Sequence, residues 1–406
     1  MKVRCWLMLG VSLLCYFMAA RFQILLFLFL AGIIVIADKT SKQQVRKISF
    51  LIAILLLVMG FVVFKVNTSM PMLVGYSVFA FSGISFIIDQ YKDKKKYGIV
   101  DTLVYLFFFP KMMAGPIVRA SNFIPQLALK SKINNQALYK GFKLILFGCF
   151  LKLIVADNLL DTESGKVGIN LFAQTLIWGI RFYIDFFSYS IIAVGLAFWC
   201  GIELPYNFDN PYSATSFRDF WKRWNITLTS WLRDYIYIPL GGNRQSKLRT
   251  LINIFLTFIV SGLWHGISIP FVLWGCFHAF LVCMEKLLGI SYKNMAFPFK
   301  IIYRVLVIVI TMFLWQLFRF RDSGDIYTYL ERLQVSSVCE DWTIVSLLMA
   351  VASLIFIENK RIKTLIFDMG TSRTYVFCEV ILLVLMLALL ILCPNQYSFN
   401  FFYFNF

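Results

Sequence analysis

Charged residues are scarce in this sequence: only 15% of the 406 residues are Asp, Glu, Lys or Arg, whereas 60% are hydrophobic. Soluble globular domains have an apolar share of about 45–50%, so this composition excludes an ordinary soluble domain. Long apolar runs separated by short polar loops instead predict an all-α polytopic integral membrane protein with about 10–12 transmembrane helices. We predict one transmembrane domain over residues 1–406, with its core motifs in residues 205–285.

Several motifs that would indicate other functions are missing. The sequence has no Walker loop, no G-x-S-x-G elbow and no HExxH, which argues against an ATP-driven pump, a serine hydrolase of that type and a zinc protease. The nine cysteines form no CxxC and share no metal-ligand spacing with histidine. We therefore expect no metal site and interpret the cysteines as small hydrophobic core residues.

Basic residues outnumber acidic ones by 39 to 21, which gives a formal net charge of +18. They cluster in polar segments at residues 39–47, 92–96, 218–249 and 360–373. In a membrane protein, such clusters mark cytoplasmic loops and contacts with anionic lipid. The charge distribution thus predicts membrane lipid as a partner and no nucleic acid.

The uncharged segment from Leu251 to Met284 holds the only two histidines of the sequence. As one helix it would extend about 50 Å, whereas the hydrocarbon core of a bilayer is about 30 Å thick. Gly262, Gly266 and Pro270 offer places for the helix to break, and broken helices at membrane depth occur where they line protein or a water-filled cavity. We predict such a break beside His265.

A histidine inside an apolar segment is costly, yet its imidazole is well suited to take and return a proton near neutral pH. Gly262 and Gly266 flank His265, and we expect them to leave room for a substrate. The alternative is a buried histidine that forms a hydrogen bond across helices. We favour function for His265, whereas for His278, which has no flanking glycine pair, both interpretations stay open.

A second motif segment precedes the histidines. Ser216 and Asp219 have the spacing of a capping box, and apolar side chains then recur at helical spacing. The stripe consists of Phe217, Phe220, Trp221, Trp224, Leu228 and Trp231. Because Arg218, Lys222 and Arg223 lie off the stripe, the pattern predicts a helix in the membrane interface with its rings in the acyl boundary.

Three further segments carry structural predictions. The run from Ile169 to Ile202 exceeds one bilayer crossing and contains Arg181 and Asp185, four residues apart, for which we expect a partly buried ion pair. The glycines and prolines of FFPKMMAGPIVR predict an irregular segment. The tail YSFNFFYFNF is typical of an aromatic interfacial anchor.

These motifs together resemble a known family. FRDFWKRWNITLTSWLRDYIYIPLGGNR, SGLWHG and VLWGCFHAF are similar to motifs of the membrane-bound O-acyltransferase (MBOAT) family, in its bacterial alginate O-acetyltransferase-like branch. VGYSVFAFSGISFIIDQY, FLKLIVADNL and WQLFRFRDS extend the resemblance over nearly the whole chain from about Lys65 onward. The resemblance implies a bundle with re-entrant or broken segments around a central tunnel, and acyl transfer to a hydroxyl.

The histidine of the family's GLWHG motif corresponds to His265. O-acyl transfer needs a base for the hydroxyl proton and a donor for the developing oxyanion. We predict His265 as the general base. Asn225, where the alginate-like branch usually has histidine, offers amide donors either for the oxyanion or for orienting the acceptor.

Further residues are predicted to bind substrate or to line the tunnel, with membrane packing or lipid anchoring as the alternative for each tryptophan and arginine. This set consists of Trp224, Arg223, Trp264, His278, Arg233 and Asp234. Arginines near the motif could bind a phosphopantetheine or an acidic carrier surface.

The resemblance also implies partners and a location. We expect no bound cofactor, acetyl-CoA as the acyl donor, and an acyl carrier or acetyl-CoA as the partner on the cytoplasmic side of the bacterial inner membrane. The expected acceptor is a polysaccharide, reached directly or through an extracytoplasmic acetyltransferase. The alternatives are D-alanyl transfer to teichoic acid, a glycan transporter or flippase without chemistry, and a catalytically silent scaffold.

Overall fold

A computed structural model describes residues 2–40, 42–66, 74–93, 95, 97–112, 115–128, 134–159, 165–290, 292 and 295–392. All regular secondary structure in these residues is helical. The chain divides into two compact units, Met1–Ile145 with Ala193–Tyr206, and Leu146–Ile192 with Asn207–Phe406. The aromatic tail, residues 397–406, lies outside the described residues, so its predicted anchoring role stays a prediction.

The first unit is a set of apolar helices around an aromatic core. Its helices are α1 (Lys2–Ala20), α2 (Ile24–Lys39), α3 (Gln43–Val66), α4 (Tyr76–Asp93), α5 (Ile99–Phe107), α6 (Ala120–Ala128) and α7 (Asn135–Phe150), whose last turn belongs to the second unit. The rings of Tyr16, Phe27, Phe79 and Phe107 pack with centroids 5.1–5.5 Å apart, a favourable separation for aromatic pairs.

The predicted irregular segment follows α5. A 3₁₀ turn, Phe109–Lys111, replaces the helix where Pro110 lacks an N–H. The described residues 115–119 are not helical either, and a Cβ on Gly115 would lie 2.4 Å from the Lys111 Cα. The prediction is therefore confirmed for this part of the chain.

The second unit holds the motif segments. Its helices are α8 (Gly168–Trp199, of which the end from Ala193 belongs to the first unit), α9 (Phe217–Arg223), α10 (Ile226–Leu232), α11 (Lys247–His265), α12 (Ile269–Leu287), α13 (Phe297–Trp315), α14 (Ser323–Gln334), α15 (Asp341–Glu358), α16 (Lys360–Phe367) and α17 (Arg373–Leu392). Short 3₁₀ turns lie at Pro211–Ser213 and Gln316–Phe318, and π turns at Leu151–Ala156 and Arg233–Tyr237.

Within the described residues, seven helices are long and apolar enough to cross a membrane. These are α3, α8, α11, α12, α13 with its following turn, α15 and α17. α1 contains a shorter apolar stretch at Val3–Ala19. An all-helical polytopic membrane protein is thus confirmed, and the total of about 10–12 crossings stays a prediction.

The π turn after α7 brings a buried charge to α8. Lys152 is 1% exposed, and its Nζ lies 2.7 Å from Asp185 Oδ1 and 2.8 Å from Asp157 Oδ1. Asp185 is also 1% exposed. Asp185 is therefore buried and paired with a cation from another helix, whereas its predicted pair with Arg181 stays a prediction.

Candidate active site

The predicted break in the 251–284 segment occurs at His265. α11 ends at this residue, residues 266–268 form a short non-helical link, and α12 begins at Ile269 with Pro270 in its first turn. Proline fits there because the first N–H groups of a helix have no intrahelical acceptor. The two helices pack together as a hairpin that holds both histidines.

Two glycines allow the hairpin to close. A Cβ on Gly262 would lie 2.2 Å from the Phe271 carbonyl oxygen, and one on Gly275 would lie 2.5 Å from the Phe258 carbonyl oxygen. A Cβ on Gly266 would lie 2.4 Å from the Phe271 ring. The expectation that Gly262 and Gly266 leave room for a substrate is therefore wrong, because α12 occupies that space.

The segment before the hairpin is kinked at Asn225. Ser216 caps α9 by accepting a hydrogen bond from the Asp219 N–H at 3.0 Å, as the capping-box spacing predicts. α9 ends before Trp224, and α10 starts after Asn225, whose φ of 40° lies in the left-handed region. Asparagine tolerates this conformation better than most residues.

The prediction of one continuous interfacial helix is therefore wrong, and so is that of a stripe with its rings in lipid. The stripe is mostly buried inside the protein, with exposed fractions between 1% and 5% for Phe217, Phe220, Trp224, Leu228 and Trp231. Packing inside the protein competes with the lipid environment for the same apolar side chains. The spacing alone does not distinguish these two environments.

α9 is held against α12 at two points. The buried carboxylate of Glu285 accepts hydrogen bonds from the backbone N–H groups of Phe217 and Arg218, at 2.6 and 3.0 Å, and from the Tyr303 hydroxyl at 2.5 Å. One helical turn further, Trp221 Nε1 donates to His278 Nδ1 at 3.3 Å. These contacts fix the segment that ends at Asn225.

The kink and the hairpin meet at one cavity of the second unit. Most side chains around it are aromatic. It is lined by Phe182, Phe186, Trp221, Trp224, Asn225, Leu228, Ser261, His265, Trp274, Trp315 and Phe318. Polar groups are few and come from separate segments, which is typical of a small-molecule site.

His265 lies in this cavity among aromatic rings. Its ring centroid is 4.6 Å from that of Phe318 and 5.4 Å from that of Trp274, both edge-to-face. Asn225 is 7% exposed, and among the described residues its side-chain amide has no hydrogen-bond partner. The arrangement thus places a proton acceptor and an amide beside the same space.

A family model described as MBOAT, membrane-bound O-acyltransferase family, matches residues 51–320, which include both motif segments. The chain belongs to the MBOAT family. The resemblance inferred from the motifs is therefore confirmed. The matched range contains all the residues that line the cavity.

This MBOAT chain is similar in sequence to several curated bacterial proteins. It is 34% identical to a protein of Pseudomonas syringae pv. tomato named probable alginate O-acetylase AlgI, over 61% of this chain and 48% of the relative. It is 33% identical to a peptidoglycan O-acetyltransferase of Helicobacter pylori, over 55% and 44%. A teichoic acid D-alanyltransferase of Bacillus subtilis is 29% identical over 51% and 57%. The chain spans about half the length of these relatives.

Arg223 of this MBOAT protein forms contacts next to the cavity. Its Nε donates to Asp219 Oδ1 at 3.0 Å, and its Nη1 donates to the Asp209 carbonyl at 3.3 Å. Burial alone would raise the pKa of Asp219, but hydrogen bonds from Thr215 and Arg223 outweigh it and hold that pKa below its usual value. Arg223 is therefore paired with a charged carboxylate.

The other predicted site residues have different positions. Trp224 lines the cavity with His265 and Asn225. Trp264 packs beside His265, with ring centroids 4.3 Å apart, and Arg233 pairs with Asp234 at 2.8 Å, where 62% and 33% of these side chains are exposed. Among the described residues, the cavity lining does not include Trp264, Arg233, Asp234, Arg223 or His278. Their predicted roles stay predictions.

Several lining residues were not predicted from the sequence. Ser261 stands four residues before His265 on α11, and that helical spacing could have identified it. Trp274 likewise stands four residues before His278 on α12. Phe182 lies on the distant helix α8 and no local signal marks it, whereas Trp315 is the first residue of the motif WQLFRFRDS.

Proposed function

We propose that this protein is an O-acyltransferase of the inner membrane that transfers acetyl groups to hydroxyls of a cell-surface or secreted polysaccharide, with His265 as general base. The observation that carries this proposal is the presence of His265 and Asn225, from two separate segments, in one largely aromatic cavity. The names of the alginate and peptidoglycan relatives support acetyl as the acyl group.

The chemistry follows from the two polar side chains. The acceptor hydroxyl attacks the acyl carbonyl carbon while His265 takes its proton. Electron density moves onto the carbonyl oxygen, and the Asn225 amide either donates to that oxygen or orients the acceptor. When the carbon–sulfur bond of a thioester donor breaks, His265 returns the proton to the leaving thiolate. Acetyl-CoA is the donor that we propose, on the cytoplasmic side.

The aromatic lining would strengthen these steps. Side chains such as Phe182, Trp224 and Trp315 exclude water, and hydrogen bonds to a developing charge are stronger in such an environment. An extracytoplasmic acetyltransferase could take the acetyl group from this protein and pass it to the glycan. The second candidate function is D-alanyl transfer from a carrier protein, which the names of the teichoic acid relatives support.

The test is complementation of a deletion strain with wild-type protein, His265→Ala or Cys276→Ala, at matched membrane levels. Cys276 lies on α12 outside the cavity lining and serves as the control. We expect wild type and Cys276→Ala to restore acetyl esters on the surface glycan, measured by NMR, and His265→Ala to leave them at the level of the deletion strain.

The same spectra separate the alternatives. D-alanyl esters in place of acetyl esters would assign the second candidate. Full acetylation with His265→Ala would overturn His265 as the base and support a scaffold. Loss of glycan export in the deletion strain would indicate a transporter.

A further inference from the structure

The cavity of the candidate active site has an aromatic side centred on Trp315, the last residue of α13. Trp315 is 1% exposed. Its ring centroid lies 4.6 Å from that of Trp224, 5.1 Å from that of Phe182 and 5.3 Å from that of Phe318. All four side chains line the cavity, and we call them the aromatic wall.

Further buried rings pack against Trp315 from outside the cavity lining. Phe220 and His278 are not among the described residues that line the cavity, and they are 1% and 0% exposed. Their ring centroids lie 6.4 and 6.0 Å from that of Trp315. Because protein interiors are packed as densely as organic crystals, a group that presses on Trp315 from the cavity must displace packed side chains.

The aromatic wall matches the alkyl part of a substrate. Its phenylalanine and tryptophan side chains carry no charge and no hydrogen-bond acceptor. A glycan hydroxyl buried against them would leave its hydrogen unpaired, which is costly. The methyl group of an acetyl has no such requirement. Apart from indole N–H groups, the polar side chains of the described lining are Asn225, Ser261 and His265, and the acceptor hydroxyl fits there.

The wall begins close to the proposed base. The acyl carbonyl carbon must lie near His265, because this residue takes the proton of the hydroxyl that attacks that carbon. The ring of Phe318 contacts the rings of both His265 and Trp315, with centroids 4.6 and 5.3 Å apart. A chain that extends from the carbonyl carbon toward the wall therefore reaches packed rings after a short distance.

We propose that Trp315 determines the acyl selectivity of this protein, because its ring closes the aromatic wall beyond the methyl group of an acetyl. This inference rests on the proposed function and names the length of acyl group that the same site accepts. A propionyl group carries one more methylene, which must overpack the wall. One methylene in an apolar pocket changes the rate of transfer by about 10–200-fold, so acetyl is transferred and longer acyl groups are rejected.

The test measures which acyl group reaches the glycan. The deletion strain, complemented with wild type, Trp315→Ala or Trp315→Phe at matched membrane levels, is grown with propionate. NMR gives the ratio of propionyl to acetyl esters on the surface glycan, and this ratio is divided by that of propionyl-CoA to acetyl-CoA in the same cells. A general loss of activity lowers both esters alike and leaves this selectivity ratio unchanged.

We expect the selectivity ratio of wild type to be about 0.1 or less, and Trp315→Ala to raise it at least about 10-fold. Trp315→Phe should raise it less, because the smaller ring opens less space. Trp231→Ala is the matched control. Trp231 is also a buried tryptophan, 5% exposed, but it packs on Tyr235 and is not among the described lining residues. This variant should keep the ratio of wild type.

A ratio near 1 in wild type would overturn the proposal, and so would an equal rise in Trp231→Ala. A lower rate of transfer with an unchanged ratio in Trp315→Ala would assign Trp315 to packing or acceptor binding. If Trp315→Ala yields no esters, Trp315→Phe decides: a raised ratio supports the proposal and an unchanged one overturns it. Esters that persist in His265→Ala mean that the proposed function fails, whereas their loss there with an unchanged ratio in the Trp315 variants means that only the selectivity fails.

Discussion

Asn225 combines a backbone role with a side-chain role. Its φ of 40° lets the chain turn from α9 into α10, and its carbonyl accepts the Thr229 N–H at 2.9 Å. The next residue, Ile226, donates its N–H to the Asn207 carbonyl at 2.8 Å. Asn225 also lines the cavity. Any substitution at this position therefore changes the amide, the backbone strain, or both.

Glycine and alanine separate these two roles. Asn225→Gly adopts the left-handed conformation without steric cost, so we expect an unchanged Tm in detergent and a loss of acetylation rate of about 10²-fold from the missing amide. Asn225→Ala adds backbone strain of about 1–2 kcal/mol and should also lower the Tm. The measurements are Tm and the initial rate of glycan acetylation. A normal rate in Asn225→Gly would contradict a role for the amide.

At the scale of the elements, the hairpin of α11 and α12 depends on glycines at its contact. Gly262→Ala would place a methyl group 2.2 Å from the Phe271 carbonyl oxygen. Because that oxygen belongs to the backbone, the clash is relieved only if α11 and α12 move apart. Such overpacking typically costs about 1–3 kcal/mol. Because α11 ends at His265, separation of the helices would also displace the proposed base. We expect both a lower Tm and a lower rate of acetylation.

Gly32→Ala is the matched control for this prediction. Gly32 lies in the apolar helix α2, and a Cβ there would meet nothing within 4 Å. Alanine has a higher helix propensity than glycine, so this variant should keep or raise the Tm and keep the rate. Equal Tm values for Gly262→Ala and Gly32→Ala would show that the hairpin accommodates the methyl group.

The elements also show which features a sequence can predict. The break at Gly266 and Pro270 was predictable because segment length, glycine and proline act locally. The kink at Asn225 was not, since the apolar spacing continues through Trp224 and Leu228 as if one helix ran on. The burial of that stripe depends on Glu285 and His278, which hold α9 from more than 50 residues away. The sequence of the stripe alone therefore does not predict those contacts.

At the scale of the whole molecule, the charges fall into two classes. Most of the net charge of +18 comes from basic clusters in polar segments, where exposed pairs such as Arg233 with Asp234 contribute little to stability. A few charges are buried and paired, among them Glu285 and Lys152. In a protein that is 60% hydrophobic, these buried groups are the ones whose loss should matter.

Lys152 offers the clearest test of this distinction. Lys152→Met keeps an unbranched side chain but leaves Asp185, 1% exposed, without this cation. Breaking a buried pair typically costs about 3–5 kcal/mol, because the remaining charge stays buried. We therefore expect a clear fall in Tm in detergent for Lys152→Met, and a partial recovery in Lys152→Met/Asp185→Asn, which also removes the buried charge of Asp185. Arg233→Met, from the exposed pair, should leave the Tm nearly unchanged. Equal Tm values for Lys152→Met and Arg233→Met would contradict this prediction. Burial would then not determine how much an ion pair contributes to stability, and the ion pair between the π turn and α8 would not stabilise the second unit.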